Sequence, residues 1–251
     1  MRKAFQGVQN IVRFNWHFYL LAGGGILLLF ALSRFVSAPL SLYFQLLSGV
    51  ILTSTLVSLA SSFYIYDCSN LYRFTWLNFP DEGAEQRIIN VHAGFDETSV
   101  LLKKQFPAAE IIALDFYDPV RHTEVSIKRA RRAYPPYSNT QKIDTSAISL
   151  EDNYAEMTLA FLSAHEIRDA RERSQFFREL NRITKPTGAI VVTEHLQDVP
   201  NFLAYNIGFF HFHSRATWYE TFKAAELRVS QVFKTTPFIT TFVLTPHGTS
   251  A

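Results

Sequence analysis

The chain has 251 residues, room for one domain of roughly 150–200 residues and an additional element. Hydrophobic residues make up 48% of it, high for a soluble enzyme and low for a polytopic transporter, so the apolar residues must be unevenly spread. A formal net charge of +2 gives no global field for nucleic acid, and the single cysteine, Cys68, excludes an intrachain disulfide framework and fits a reducing compartment.

In residues 1–16, Ala4, Phe5, Val8, Ile11 and Val12 recur at helical spacing beside Arg2, Lys3 and Arg13. That pattern predicts a short interfacial helix, with a disordered terminus as the alternative. Residues 17–66 read as a transmembrane helical hairpin. The run at 18–33, FYLLAGGGILLLFALS, carries no charge, and the run from Phe35 to Tyr66 is uncharged as well. Each supplies the ~20 apolar residues needed to cross a bilayer core, and Pro39 is a natural turn between them. A second span so close behind the first argues against a cleaved signal. The alternative is a buried helical hairpin in a soluble protein.

Arg2, Lys3 and Arg13 before the hairpin and Arg73 after it outweigh Arg34 in its loop. The positive-inside rule therefore places both termini in the cytoplasm, with the chain in the cytoplasmic membrane. Trp16, Tyr19, Tyr64, Tyr66, Tyr72 and Trp76 cluster near the span ends as an aromatic belt would. Gly23, Gly24 and Gly25 allow close approach to the small face of the second span (Gly49, Thr53, Ser54, Ser58, Ser61, Ser62), and a homo-oligomer through the hairpin is compatible with it. Residues 67–86 read as a connector, broken by Pro80 and Gly83 and made polar by Asp81, Glu82 and Glu85.

From Arg87 onward strand and helix alternate. RIINVHA, EIIALDF, TQKIDTSAI, AEMTLAFLSAH and GAIVVTEH read as five strands, the third weak. DETSVLLKKQF, PVRHTEVSIKRARRAY and RERSQFFRELNRIT read as helices between them. A helix around ATWYETFKAAE follows, and RVSQVFK with FITTFVL form a closing hairpin. This order predicts an α/β fold: a mostly parallel sheet with a C-terminal antiparallel hairpin, behind the two-helix transmembrane hairpin.

Four stretches in this order carry a resemblance: IINVHAGFD, IIALDFYD, the region from Ile143 to Asp169, and FFRELNRITKPTGAIVVTEH. Together they resemble the class I S-adenosylmethionine-dependent methyltransferase family, of the type 11 kind, over roughly residues 87–245 within a domain of 87–251. The resemblance implies a Rossmann-like fold and S-adenosylmethionine as cofactor. It implies cofactor contacts from Asn90, His92, Gly94, Asp115, Asp144 and Thr145. Asp115, at the end of its strand, is the candidate acceptor for the ribose hydroxyls, and Asp144, with Thr145 and Ser146, for the adenine edge. Gly94 lets backbone approach the ligand. The loop departs from the family pattern at three positions. Asn90 replaces the usual acid, and His92 and Asp96 stand where glycines are expected. Asp96 and Glu97 either serve as acids near the cofactor's amino group or cap the following helix, the second being the expected role. In KPTG, Thr187 replaces a glycine.

The segment from Glu194 to Trp218 follows a strand's carboxyl end, where substrate loops belong. His195, oriented by Glu194 or Asp198, is a candidate general base, with His165 and His211 as further catalytic candidates. Each histidine has a purely structural alternative. His195, His211 and His213 with Glu194 raise the question of a metal, but no tight ligand motif is present and no metal is assigned. Lys128, Arg129, Arg131 and Arg132 are read as a solvated helix face, or one leaning on anionic headgroups, rather than a nucleic-acid site. The sequence thus points to a membrane-anchored methyltransferase whose partners are the lipid bilayer and a lipophilic small molecule. The alternatives are a catalytically inactive adaptor with the same fold and an enzyme that uses S-adenosylmethionine or a metal for another reaction.

Overall fold

The computed structural model describes residues 2–77, 86–122 and 124–246. The chain divides into two units, residues 1–69 with 199–209, and residues 70–198 with 210–251.

The first unit is helical. Its helices are α1 (Gln6–Phe14), α2 (Trp16–Leu32), α3 (Leu40–Phe63) and α7 (Val199–Tyr205). α1 buries Gly7, Asn10 and Phe14 at helical spacing while Phe5 and Val12 stay exposed, and a bend of 75° separates it from α2. At about 1.5 Å per residue α3 rises about 36 Å and α2 about 26 Å, against about 30 Å of bilayer hydrocarbon. The helical stretch Leu40–Arg73 is long and apolar enough to cross a membrane. Leu21, Leu27, Leu28 and Phe30 of α2, and Val50 and Leu56 of α3, are exposed. Pro39 immediately precedes α3, and the Ser41 hydroxyl donates to the Ser33 carbonyl (2.7 Å) across the turn. The two helices pack together, as the sequence suggests, but not through glycine. A Cβ added at Gly23, Gly24, Gly25 or Gly49 would meet nothing within 4 Å, so the expected close approach at these residues is corrected. Hydroxyls of α3 turn back on their own helix, Ser48 to Phe44 and Thr55 to Ile51.

Asp67 closes this unit. Its carboxylate accepts the Gly7 and Val8 N–H groups, both at 2.8 Å, and so serves as a cap supplied from 60 residues away. Of the connector expected at 67–86, residues 67–68 lie in a π-helical turn, Tyr64–Cys68, and 71–73 in a 3₁₀ turn. Pro80, Gly83, Asp81, Glu82 and Glu85 lie outside the described residues.

The second unit is the α/β domain. In chain order it comprises β1 (Arg87–His92), α4 (Ser99–Gln105), β2 (Glu110–Asp115), α5 (Val125–Ala133), β3 (Gln141–Lys142) and β4 (Ala155–Phe161). It continues with α6 (Ala170–Ile183), β5 (Thr184–His195), α8 (Arg215–Ala224), β6 (Arg228–Thr236) and β7 (Ile239–Thr245). The sheet order is β3-β2-β1-β4-β5-β7-β6. β1 to β5 are parallel, and β7 enters antiparallel between β5 and β6. β1 and β4 are buried on both faces, which is why their sequences read as nearly unbroken apolar runs. α6 buries Phe176, Phe177, Leu180 and Ile183 at helical spacing, and Asp169 caps it by accepting from the Arg171 and Glu172 N–H groups. Phe177 meets Trp218 and Phe222 of α8 edge to face, and Phe222 meets Phe242 of β7. The third strand shrinks to two residues, because TQKIDTSAI offers no sustained alternation, and the second helix begins only at Val125.

Asp67→Ala removes both acceptors at the start of α1 and is expected to lower its local stability by about 1 kcal/mol. Amide hydrogen exchange from Gly7 to Ile11 should quicken about fivefold while β1 and β4 stay protected. Unchanged exchange at those amides would refute the cap.

Candidate active site

In a sheet of this kind ligands enter at the carboxyl ends of the strands where the order reverses, here between β1 and β4. β1 delivers Asn90 and His92 to that end, followed by Gly94 at φ +83°. The positive φ favours glycine here, and a Cβ would also displace the Arg131 guanidinium that now lies against it. Asn90, fully buried, donates to Thr98 Oγ1 and Ser99 Oγ, both at 2.8 Å, and ties β1 to the start of α4. Asp96 Oδ1 accepts the Thr98 and Ser99 N–H groups at 2.9 Å, which is the capping role expected for it. His92 Nδ1 accepts the Gly94 N–H (3.0 Å), and its Nε2 faces Asp96 Oδ2 at 4.0 Å. Burial lowers the His92 pKa; Asp96 and Asp115 oppose this, and Arg131 reinforces it. Three buried atoms of this turn, Asn90 Oδ1, His92 Nε2 and Asp96 Oδ2, have no hydrogen-bond partner among the described residues.

Asp115 ends β2 and stands opposite His92 in the β1–β2 register. Its Oδ1 accepts the Tyr117 N–H (2.9 Å), and its Oδ2 accepts from Arg131 Nη1 at 2.6 Å. The Arg131 guanidinium also lies over the Tyr117 ring, 4.5 Å from its centre. Arg131 is therefore not part of a solvated basic face, and that expectation is corrected for this residue. Periodicity could not single it out, because it shares a run with Lys128, Arg129 and Arg132. On the neighbouring loop Asp144 is exposed and accepts from the Ser146 N–H and hydroxyl, which hold its pKa low. Thr145 is buried and donates to Glu172 (2.7 Å).

Beyond β4 and β5 the ionisable groups pair in a way the sequence did not indicate. Glu194, fully buried, contacts His165 Nδ1 at 2.7 Å and accepts the Ser163 and His165 N–H groups at 3.2 Å. Glu194 thus orients His165, and Asp198 also pairs with Lys234 (2.6 Å). His195 is buried and stacks on Phe212, ring centres 4.6 Å apart. His165 Nε2 and His211 Nε2 converge on Glu166 Oε1, at 3.4 and 3.5 Å. Glu166 was not among the candidates, although its place beside His165 was a usable signal. Burial alone would lower the His165 pKa, but the carboxyl groups of Glu194 and Glu166 outweigh it and raise it to about 10. Burial, helped by Arg173 and Arg168, pushes His213 down to about 3; its Nε2 lies 3.2 Å from Arg173 Nη1, apart from the other three.

Comparison with known proteins agrees with this geometry. Residues 90–192 match the family model described as a methyltransferase domain. These residues belong to the methyltransferase domain family. The methyltransferase domain is of the S-adenosylmethionine-dependent class, and that compound is the cofactor its family implies. No curated protein matches the chain in sequence. Among solved structures, an O-methyltransferase family 2 protein from Planctomyces limnophilus, in complex with apigenin, is 11% identical. It aligns over 84% of this chain and 70% of its own, with a TM-score of 0.52, and shares the fold. A SAM-dependent methyltransferase from Aquifex aeolicus is 16% identical over 77% of this chain and 98% of its own, with a TM-score of 0.49.

The residues of the methyltransferase domain fit such a cofactor at the two points that matter most. Gly94 leaves a cradle without a Cβ, and Asp115 offers an acceptor at the end of β2. The chain's own Arg131 stands against both Gly94 and Asp115, so a ribose held by Asp115 would compete with that guanidinium. Asp115→Ala is expected to weaken binding of S-adenosylhomocysteine at least tenfold in calorimetric titration, the cost of losing a hydrogen bond to a charged group. Arg131→Ala should tighten it. Weaker binding in the Arg131 variant would mean that the guanidinium serves the ligand rather than competing with it.

Proposed function

We propose that the protein methylates a lipophilic acceptor at the cytoplasmic face of a membrane in which residues 17–66 are anchored. The observation that carries this reading is the fate of the chain after β5. Residues 199–209 leave the sheet domain and fold with the apolar helices, α7 packing on α3. In sheets of this kind the loop following a strand's carboxyl end meets the substrate. Here that loop belongs to the same unit as the hairpin. Its own surface is apolar, with Val199, Phe202, Leu203 and Ile207 exposed. Exposed apolar surface of this extent on α2, α3 and α7 suits lipid better than water.

S-adenosylmethionine supplies, when bound, an electrophilic methyl group on a sulfonium. The chain's part is to hold that cofactor through Gly94 and Asp115, to align an acceptor, and to keep water out. Asn90, His92, Asp144 and Thr145 are proposed as further contacts or supports of the cofactor loop. His165, His195 and His211, which follow the carboxyl ends of β4 and β5, are proposed for the acceptor side.

The test is transfer of isotope-labelled methyl from S-adenosylmethionine to a membrane extract by the full chain in mild detergent. Label is expected in the organic phase, and Asp115→Ala should abolish it. Label confined to water-soluble products would overturn the lipophilic acceptor. No transfer at all, despite cofactor binding, would favour a non-catalytic adaptor.

A further inference from the structure

We propose that His165, Glu166 and His211 form a three-ligand site for a divalent transition metal of the zinc class, with a fourth position open to the acceptor side. The three ligand atoms are His165 Nε2, Glu166 Oε1 and His211 Nε2. The carboxylate oxygen lies 3.4 Å from one nitrogen and 3.5 Å from the other, and all three fall within 4.8 Å of one another. Ligands about 2.1 Å from a tetrahedral ion stand about 3.4 Å apart. Adjacent ligands of an octahedral ion at about 2.1 Å stand closer, about 3.0 Å apart. The two carboxylate–imidazole edges, 3.4 and 3.5 Å, match the tetrahedral case, and an imidazole pair with one carboxylate suits zinc better than magnesium.

The surroundings supply what a metal-binding histidine ordinarily has, a carboxyl group on its other ring nitrogen. Glu194 stands 2.7 Å from His165 Nδ1, and Glu124 stands 3.3 Å from His211 Nδ1. Both rings are thereby turned with Nε2 towards Glu166. The Arg168 guanidinium also touches His211 Nδ1, so ligation at Nε2 would shift that nitrogen from accepting from Arg168 to donating to Glu124. Glu166 is itself 4% exposed, and its Oε2 has no hydrogen-bond partner among the described residues, an arrangement that is costly without a cation beside it. Glu124, Glu166 and Glu194 gather around the two rings, and a dication at Nε2 would take the place of a proton on His165 as the partner of these carboxyl groups. His165 and Glu166 are buried, whereas the His211 side chain is 28% exposed, so the open side of the site is the His211 side. Structural zinc sites close with four protein ligands; three ligands and an accessible fourth position mark a site that binds water or substrate.

The metal site stands on the ligand distances and their surroundings, without the methyl-transfer reading. That its open position polarises an acceptor oxygen or sulfur rests on the methyl-transfer reading, and the two are separable by experiment. The full chain in mild detergent, stripped with chelator, is titrated with zinc, and cobalt(II) is used as a spectroscopic probe. One equivalent of zinc should bind, and cobalt should give the intense visible bands of a tetrahedral ion. His211→Ala, at the more exposed ligand, should lower zinc affinity at least 100-fold without loss of circular dichroism. Glu194→Gln should lower it 10–100-fold through the ring of His165. The site is overturned if the wild type binds zinc no more tightly than His165→Ala or His211→Ala, or if cobalt shows only octahedral bands. Should His165→Ala fail to fold, the His211 variant decides. Zinc binding with no effect on methyl transfer would leave the site standing and remove its role at the acceptor.

Discussion

A carboxyl group with no access to solvent holds the working edge of the sheet. Glu194, the penultimate residue of β5, is fully buried and takes contacts from two backbone N–H groups and the His165 ring. Burying such a group is costly unless its oxygens are satisfied, and here the donors all come from the residues that follow β4. The side chain therefore fixes the turn at Ser163–Glu166 relative to β5. Ser163 in turn donates to the Val91 carbonyl (3.0 Å), which carries the constraint across to β1. The ends of β1, β4 and β5 are thus linked by one polar chain, at the place where the strand order reverses. Removing one partner would leave another buried and unpaired, which makes the network more demanding than any single contact in it.

The turn after β1 solves a related problem with different residues. Where the family has an acid and further glycines, this chain has Asn90, His92 and Asp96. Asn90 and Asp96 bind Thr98 and Ser99, and His92 binds the Gly94 N–H, so the three crowded positions are consumed largely in bracing the loop. The crowding is directed inward, towards α4, and the one residue whose outer face must stay bare remains glycine. The bare face is then met by Arg131, which neutralises Asp115. Under the proposed cofactor reading, a ribose at Asp115 would compete with Arg131 for a single carboxylate.

Elements whose identity depends on local pattern were legible before any coordinates. α6, with its Asp169 cap and its apolar face of Phe176, Phe177, Leu180 and Ile183, is one; the β6–β7 hairpin and the apolar runs of β1 and β4 are others. The acid at the end of β2 and the single glycine after β1 also stood out, because strand ends and positive-φ turns leave composition signatures. Which partner a charged side chain chooses leaves none. Arg131 was indistinguishable from its basic neighbours, and Glu194 could equally have served His195, the next residue along. A strand alternates sides, so Glu194 and His195 point opposite ways; the carboxyl group meets His165 while His195 turns to Phe212. Gly23, Gly24 and Gly25 misled for a similar reason. Small residues permit close packing, but only the neighbouring helix's position decides whether it occurs.

The division of the chain bears on how the hairpin is used. The backbone passes between the two units three times, after residues 69, 198 and 209. A catalytic domain merely tethered to a membrane needs one such passage, through a linker. Here two of the three flank the segment that follows β5, so that segment is held at both ends by the sheet domain while α7 itself packs on α3. α7 therefore shares a unit with α3, while the chain on either side of it belongs to the sheet domain. Under the proposed reading the apolar helices are then part of the acceptor machinery rather than an address label.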